Sequence, residues 1–316
     1  MVKYYTRACN FYYGKTSRQN VKKKVSLPLN GNELISFDSI ELITRKKTKI
    51  IKIKDIKKLS FELKKKIYKD LKKITKVKNY KDIKFKKFPL LMGIINATPD
   101  SFSDGGKYLK SKLAYKQIKK LKKNGVDIID IGGESTRPNS NTINSKIEWA
   151  RVKSKIKFAK KNKMFVSLDT RKSYVFLKSL KYKINLLNDV SGLSHDREMI
   201  TILKKTKIPF ILHHMQGTPN IMQKKPKYDD ALLDIYDFFE KKINFCIKKK
   251  YKKEFILLDP GIGFGKNLNH NLRIMSKIST FHSLGCPILI GTSRKRFIEH
   301  IVTKFDTQDR TGGTLA

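Results

Sequence analysis

The pattern of hydrophobic and polar positions changes near residue 89. From Pro89 onward, short apolar runs alternate with longer segments whose apolar residues recur at helical spacing. Continuous apolar runs separated by helices are typical of parallel strands that are covered on both faces. The pattern therefore predicts a succession of strand–helix units, whose strands are LLMGIIN, VDIIDIGG, MFVSLD, INLLND, IPFILHH, FILLD and CPILIGTS.

The number of these units favours an α/β fold of the (β/α)8 TIM-barrel type over a flavodoxin-like sheet. The sequence ends at DRTGGTLA, inside what is predicted to be a further helix and before an eighth strand. We therefore expect the last β/α unit of the barrel to be missing or truncated. The predicted helices cover residues 111–124, 145–161, 172–182, 196–206, 228–250, 268–280 and 295–304.

Residues 1–88 differ from this pattern and are predicted to be a small, basic N-terminal extension, followed by a barrel domain over 89–316. Asn30-Gly31 is a turn signal between short strand-like runs. A helix is predicted to follow in LSFELKKKIYKDLKKITK, because Leu63, Ile67 and Leu71 recur at helical spacing. We find no catalytic pattern in this extension, and its role is unknown.

The chain is strongly basic, with 71 Lys and Arg against 27 Asp and Glu and a net charge of +44. Residues 1–88 hold 27 basic and 7 acidic side chains, and the remaining excess is spread over the barrel domain. Together with abundant Ile and Asn, this spread favours an AT-rich coding sequence over a dedicated nucleic-acid surface. A basic nucleic-acid-binding protein nevertheless stays as the alternative from a different functional class.

The three cysteines, Cys9, Cys246 and Cys286, form no CxxC pair and indicate a reduced, cytoplasmic protein without disulfides or a zinc site. No apolar run reaches the length of a transmembrane helix. We therefore expect neither a membrane nor a nucleic acid as partner.

The predicted strands deliver polar residues to their carboxyl ends, where TIM-barrel enzymes assemble their active sites. The seventh run continues into Arg294, Lys295 and Arg296. One acidic residue at a strand end is often only a helix cap, but a whole set predicts a binding cup. The strand-end residues are Asn96, Asp130, Asp169, Asn188, Asp189, His213, His214 and Asp259.

The composition of this rim indicates its ligand. Carboxylates and carboxamides suit a flat heterocycle with several N–H donors, and Arg137 beside Thr136 suits an anion. The glycines of DPGIGFGKN fit neither a P-loop nor a dinucleotide fingerprint, since Asn267 follows Lys266. They more simply allow a sharp turn close to a ligand, with Phe264 on the ligand's face.

Two further features bear on the chemistry. The loop in GIINATPDSFSDGG is long for a connection in a compact domain, so it is either a disordered bridge or an active-site loop. The adjacent His213 and His214 lack metal-ligand spacing and are expected in the core or behind the site. No pattern for covalent catalysis is present.

Seven ordered motifs between residues 89 and 316 resemble those of the dihydropteroate synthase family. They are MGIINATPDSFSDGG, DIIDIGGESTRP, SLDT, NDVSG, HHMQGTP, LDPGIGFGK and GTSRKRF. The resemblance implies a transferase of folate biosynthesis that joins 6-hydroxymethyl-7,8-dihydropterin diphosphate to p-aminobenzoate. It also implies a cytoplasmic enzyme with small-molecule substrates, Mg²⁺ and a homodimeric assembly.

The resemblance also assigns site residues by motif. Asp169, Lys295 and Asn96 are the expected catalytic residues, and Asn96 is also the expected Mg²⁺ ligand. The expected pterin-binding residues are Asp169, Asn188, Met215, Asp259, Phe264 and Lys295. The expected diphosphate and p-aminobenzoate residues are Phe102, Thr136, Arg137, Pro138, Ser293 and Arg296.

Two departures from the family pattern affect these expectations. The family's last strand carries an Arg-x-His motif that binds diphosphate, and the sequence ends before it, so we expect weak diphosphate binding. Arg296 stands where many bacterial members have Ser, which leaves the contact to the p-aminobenzoate carboxylate open. A pterin-dependent methyltransferase barrel is the alternative enzyme, although it is not expected to carry the TPDSFSDGG and ESTRP loops.

Overall fold

A computed structural model describes residues 2–78, 89–98, 111–135, 140–217, 222–223, 225–293 and 295–298. The chain forms two compact units. The first consists of Met1–Asn79, Tyr228–Lys241 and Leu272–Ile288, and the second of Tyr80–Lys227, Lys242–Asn271 and Leu289–Ala316. The predicted domain boundary near residue 88 lies outside the described residues and stays a prediction.

The first unit is built on an antiparallel sheet whose centre is the long third strand. This strand pairs with the first strand on one side, and with the second and fourth on the other. The strands are β1 (Tyr5–Tyr13), β2 (Leu27–Leu29), β3 (Asn32–Ile43) and β4 (Thr48–Lys52), and the helices are α1 (Gly14–Lys22), α2 (Phe61–Thr75) and a 3-10 helix (Ile53–Lys58).

The core of the first unit lies between this sheet and α2. Phe37 and Ile40 from β3 are fully buried against Ile67 and Ile74 from α2. The predicted turn at Asn30-Gly31 and the predicted helix are therefore confirmed. Strand β1 and helix α1 were not predicted, because YTRACNFYY mixes polar and aromatic residues without a clear period of two.

The second unit contains a parallel sheet of six strands whose spatial order follows the sequence. Each of the first six predicted strands is present at its predicted place, as expected for a TIM-barrel arrangement. They are β5 (Met92–Asn96), β6 (Ile128–Gly132), β7 (Phe165–Asp169), β8 (Leu186–Asp189), β9 (Phe210–His213) and β10 (Ile256–Asp259).

The helices after these strands begin and end close to their predicted positions. They are α3 (Ser111–Lys123), α4 (Ser145–Lys161), α5 (Ser173–Ser179), α6 (Met199–Thr206), α7 (Ala231–Lys248) and α8 (Leu268–Ser276). Two predicted helices end early and continue as 3-10 turns, at Leu180–Tyr182 and Ile278–Leu284. The predicted helix 295–304 is a 3-10 turn over Arg296–Ile298, and the rest of it lies outside the described residues.

The predicted seventh strand is the exception. Residues 289–293 are irregular, and their link to β10 is a hydrogen bond of 2.8 Å from Leu289 N to Leu258 O. Regular strand geometry is disfavoured in this segment because it contains Gly291 and because no described strand pairs with its other edge. The (β/α)8 architecture is thus represented by six regular strands and one irregular strand position.

The sequence predicts neither disulfides nor transmembrane helices, and the structure bears on both only for the described residues. Cys9, Cys246 and Cys286 are buried and carry no disulfide. Among the described helices, none combines the length and apolar character required to cross a bilayer.

Candidate active site

The register of the parallel sheet brings Asn96, Asp169 and Asn188 to one level, with the His213–Asp259 pair on the same face two residues further along its strands. Asn96 is paired with Gly132, Gly132 with Asp169, and Asp169 with Asn188. Farther along the sheet, His213 is paired with Asp259. Because paired residues in a parallel sheet face the same side, these polar positions form one rim.

The rim stands above an apolar layer inside the sheet. Alternate residues of β7, Phe165, Ser167 and Asp169, point to the same face, so this face becomes more polar toward the rim. Phe165 packs with the buried Leu186, Ile211 and Leu257. The cup therefore has an apolar floor and polar walls.

The walls contain buried polar atoms without a partner. Asn188 Nδ2 donates a hydrogen bond of 2.9 Å to Asp130 Oδ2, but Asp130 Oδ1 and Asn188 Oδ1 receive none from the described residues. The Thr98 hydroxyl is also buried without a described partner, whereas the Ser167 hydroxyl lies beside Asp130 and opposes the rise in the pKa of that carboxyl group. Since most buried polar groups in proteins are satisfied, such a cluster indicates a place for a ligand rich in N–H donors.

Burial changes the ionisation of the two neighbouring carboxyl groups. It raises the pKa of Asp130, and the negative charge of Asp259 adds to this effect. The pKa of Asp169 lies well above its ordinary value, first because of desolvation and then because of the charge of Asp130. A Cβ atom at Gly132 would lie 3.0 Å from Asp169 Oδ2, so glycine leaves the room that this carboxyl group needs.

The loop after β10 forms another wall. Asp259 Oδ1 accepts a hydrogen bond of 2.8 Å from Gly261 N, which turns the chain directly after the strand. Gly261, Gly263 and Gly265 all have positive φ angles, and a Cβ at Gly261 would lie only 2.1 Å from His214 O. The predicted need for glycines at a sharp turn is therefore confirmed.

Phe264 and Lys295 meet at this wall. The Lys295 ammonium lies 4.6 Å from the centroid of the Phe264 ring, and it also donates a hydrogen bond to Ile262 O. The Phe264 and His213 rings also pack in a T-shaped arrangement, with 4.8 Å between their centroids. Burial lowers the pKa of Lys295 to about 8, although the charge of Asp259 works in the opposite direction.

The two histidines lie behind the wall, as expected from their spacing. His213 Nδ1 is 3.1 Å from Val190 O, and burial lowers the pKa of this histidine to about 4. His214 is buried beside Lys266, whose Nζ lies 3.1 Å from His214 Nδ1. Both side chains therefore support the loop.

A buried charge network supports the connection between β6 and α4. Glu134 accepts from Arg171 Nε at 2.8 Å and from Lys172 Nζ at 2.7 Å. Lys172 also donates to Glu148, which is fully buried on α4, at 2.6 Å. Ile143 N donates to Glu134 at 3.0 Å, so a residue just after β6 is hydrogen-bonded to a residue just before α4. The four charges balance, which makes the network tolerable at such low exposure.

The structure brings together six of the predicted residues: Asn96, Asp169, Asn188, Asp259, Phe264 and Lys295. Met215 is half-buried just after β9, and Ser293 is exposed in the turn before Lys295. Phe102, Thr136, Arg137 and Pro138, the Arg296 side chain and the whole loop from 99 to 106 lie outside the described residues, so their roles stay predictions.

Sequence reasoning missed three residues of the site. Ser167 has a weak signal, since it lies two positions before Asp169 on the same strand face. Thr98 has the same spacing from Asn96, but lies in the following loop. Lys266 was considered only as a failed P-loop lysine, and nothing in its local sequence indicates its burial.

The described part of the site offers few ligands for a metal ion. Within the described residues, no group of three or more His, Cys, Asp or Glu side chains could hold an ion. Asn96 supplies one half-buried amide oxygen at the rim, and the amide makes no hydrogen bond to another described residue. A single neutral oxygen fits Mg²⁺ only when water and substrate phosphates provide the other ligands, which is the usual arrangement for this ion.

Comparisons with known proteins agree with this geometry. The model of the family described as pterin binding enzyme matches residues 92–316. The dihydropteroate synthase of Escherichia coli K12 is 38% identical over 229 residues, which cover 72% of this chain and 80% of the relative.

Solved structures give the same result. The dihydropteroate synthase of Yersinia pestis, solved with a sulfonamide drug, has a TM-score of 0.68 at 38% identity and covers 71% of this chain and 82% of its own. The enzyme of Xanthomonas albilineans with 4-aminobenzoic acid has a TM-score of 0.65 at 32% identity, with coverages of 72% and 81%.

The close approach at Gly261 predicts a large effect of a single methyl group. Gly261→Ala should lower the free energy of unfolding by clearly more than the roughly 1–2 kcal/mol of a left-handed alanine, because its Cβ also meets His214 O. Gly125→Ala is the matched control, since Gly125 has φ +77° and open space around its Cβ position. Urea unfolding curves measure both, and equal losses would contradict the predicted clash.

The lowered pKa of Lys295 predicts unusual reactivity. Only the neutral amine is nucleophilic. The rate of Lys295 acylation, measured by peptide mass spectrometry, should therefore reach half its maximum near pH 8. Asp259→Asn removes the charge that favours the ammonium form and should move this midpoint lower. A midpoint near the ordinary 10.5, or an upward shift in the variant, would refute the assigned environment.

Proposed function

Because the chain belongs to the pterin binding enzyme family, as one of its dihydropteroate synthases, we infer that the polar rim of the barrel is the active site for that reaction. The enzyme is a transferase of folate biosynthesis. It forms a C–N bond between the methylene of 6-hydroxymethyl-7,8-dihydropterin diphosphate and the amino group of p-aminobenzoate. The C–O bond to diphosphate breaks, and the products are 7,8-dihydropteroate, diphosphate and a proton.

The observation that carries this assignment is the cluster of buried acceptors without partners. Asn188 Oδ1 and Asp130 Oδ1 are buried without a well-aligned hydrogen bond from the described residues, and the Ser167 hydroxyl lies beside Asp130, one pair of residues below the rim. A pterin presents N–H donors along its flat edge and would satisfy these oxygens. Asp259, whose Oδ2 is not used by the Gly261 turn, is assigned to the amino-pyrimidine edge.

Asp169 is assigned to the reacting end of the pterin. Departure of diphosphate leaves positive charge on the pterin methylene, and a carboxylate nearby stabilises that charge. The raised pKa of free Asp169 falls as this charge develops, because an opposite charge favours the ionised form. The aniline nitrogen of p-aminobenzoate then attacks without needing a strong base.

Lys295 and Phe264 are assigned to the junction of the two substrates. Phe264 offers a ring face to the pterin, and the ammonium of Lys295 can donate to it. Ser293 lies in the turn before Lys295, and Arg296 directly follows Lys295. Both residues are assigned to the p-aminobenzoate carboxylate. The relative from Xanthomonas albilineans was solved with 4-aminobenzoic acid, which supports this second substrate. Phe102, Thr136, Arg137 and Pro138 are assigned to diphosphate and p-aminobenzoate from the family resemblance alone.

Asn96 is the assigned protein ligand of Mg²⁺, with diphosphate oxygens and water completing the shell. When bound, the ion would neutralise charge on the departing diphosphate. The role of the chain is to place one unpaired amide oxygen at the end of β5, on the same level as Asp169. We also assign a cytoplasmic location, which rests on the family resemblance and on the three buried free cysteines. A homodimeric state is assigned from the family resemblance alone.

Turnover tests the assigned function. With both substrates and Mg²⁺, the full chain should form 7,8-dihydropteroate. Chromatography of the product measures this turnover. Asp259→Asn and Lys295→Gln should each lower kcat/KM by about 100-fold or more, because each leaves part of the pterin unpaired in a buried site.

The matched controls for turnover are Asp55→Asn and Lys153→Gln, which change the same residue types outside the site. Both should keep the activity of the wild type. Wild-type rates in Asp259→Asn and Lys295→Gln would refute the site assignment, and a wild type without turnover would refute the function.

The metal assignment predicts that chelation by EDTA stops turnover and that added Mg²⁺ restores it. Asn96→Ala should raise the Mg²⁺ concentration for half-maximal activity about tenfold, since one of the ion's few protein ligands is lost. Asn124→Ala changes an exposed asparagine and should leave this concentration unchanged. An unchanged Mg²⁺ requirement in Asn96→Ala would show that another group holds the ion.

A further inference from the structure

Side chains from several elements fasten the loop between β10 and α8, residues 260–266, in addition to its own main-chain turn. We propose that Lys266 is a positioning residue for the pterin: it holds this loop in place from inside, and thereby orients Phe264 and Lys295 without touching the substrate. This inference rests on the proposed function and goes beyond it, because neither the family resemblance nor the strand-end pattern assigns a role to Lys266.

Lys266 lies at the centre of the loop's inner side. Its side chain is 4% exposed, and Nζ lies 2.9 Å from Gly261 O, 2.8 Å from Phe264 O and 3.1 Å from His214 Nδ1. An ammonium group has three N–H donors, and these three acceptors match them in number. A fourth contact, to His214 O at 3.4 Å, is longer.

The remaining main-chain groups of the loop are bound from outside. Gly263 N donates to Asn271 Oδ1 at 2.8 Å, and Gly263 O accepts from Gln223 Nε2 at 2.7 Å. Ile262 O accepts from Lys295 Nζ. The loop therefore has buried anchors in Lys266 and Asn271 and an exposed one in Gln223.

The geometry links Lys266 to both pterin-facing side chains. Its acceptor Phe264 O belongs to the residue whose ring contacts Lys295, and its acceptor Gly261 O lies directly before Ile262, which binds the Lys295 amine. A shift of this loop would therefore move the Phe264 ring and the Lys295 amine together. Within the loop, a main-chain hydrogen bond of 3.0 Å from Phe264 N to Gly261 O closes a turn, and the side-chain bonds fasten this turn to its surroundings.

Stability alone is a poor explanation for this lysine. Desolvation lowers its pKa well below the ordinary value, which means that burial of the charged form is unfavourable. An apolar side chain of similar length would avoid that cost. What the lysine adds is three directed hydrogen bonds that join the loop to the end of β9, and such networks fix geometry.

The test compares three variants of the full chain. Lys266→Met keeps the length but removes all three donors, while Gln223→Ala removes an exposed, peripheral anchor of the same loop. Lys153→Met is the matched control, because Lys153 is exposed on α4. The measurements are KM for each substrate, kcat, the melting temperature, and the Kd of 6-hydroxymethylpterin, a probe without diphosphate.

Lys266→Met should raise the Kd of the pterin probe and the KM of the pterin diphosphate about tenfold or more, since three buried acceptors lose their donor. KM for p-aminobenzoate should change less than threefold. Gln223→Ala should raise the same pterin constants about two- to threefold at an unchanged melting temperature, which keeps the test valid if Lys266→Met folds poorly. Lys153→Met should match the wild type.

Unchanged pterin constants in both loop variants, or equal losses for the two substrates, would overturn the inference. The first result would show that the loop does not depend on its anchors, and the second would show a general structural role for Lys266. Both can arise while the wild type forms dihydropteroate, which separates them from a failure of the proposed function. A wild type without turnover and without affinity for the pterin probe would overturn the function and this inference together.

Discussion

Parallel pairing of six strands in sequence order is the constraint on which the site depends. Hydrogen bonds between neighbouring strands fix which residues share a level, so Asn96, Asp169 and Asn188 reach the rim at the same height although they are far apart in sequence. The same alternation sends Phe165 and Leu186 into the apolar floor. One sheet therefore supplies both the apolar floor and the polar rim of the cup, and the loops supply further side chains around the rim.

Withdrawal of water from this cup has opposite effects on its acids and bases. It raises the pKa values of Asp130 and Asp169 and lowers that of Lys295 to about 8, because in each case the charged form loses hydration. The free site is therefore less charged than its composition indicates. In the proposed reaction, a substrate that brings N–H donors and develops positive charge at its methylene would compensate Asp130 and Asp169. Binding and charge development are thus coupled through desolvation.

The first unit shows that a highly basic sequence can fold around a conventional core. Two of its buried acidic residues are held in ion pairs: Asp70 accepts from Lys66, and also from the hydroxyl of Thr6, and Glu41 accepts from Arg7 and Lys277. Phe37, Ile40 and Ile67 exclude water behind these pairs. The remaining lysines are mostly at the surface, which agrees with a compositional bias and does not require a polyanion as partner.

The sequence by itself determined where the barrel strands lie and which polar residues end them. Strands covered on both faces leave continuous apolar runs, and those runs predicted β5 to β10 and the positions of Asp169, Asn188 and Asp259. The family motifs then implied the reaction. Only the tertiary structure decided the rest: the irregular seventh strand position, strand β1, the Asp130–Asn188 bond with its two unpaired oxygens, and the burial of Lys266 beneath three glycines. Local periodicity reports the face of a single element. Pairing, desolvation and the anchoring of a glycine-rich loop depend on neighbours far apart in sequence, which only the folded chain brings into contact.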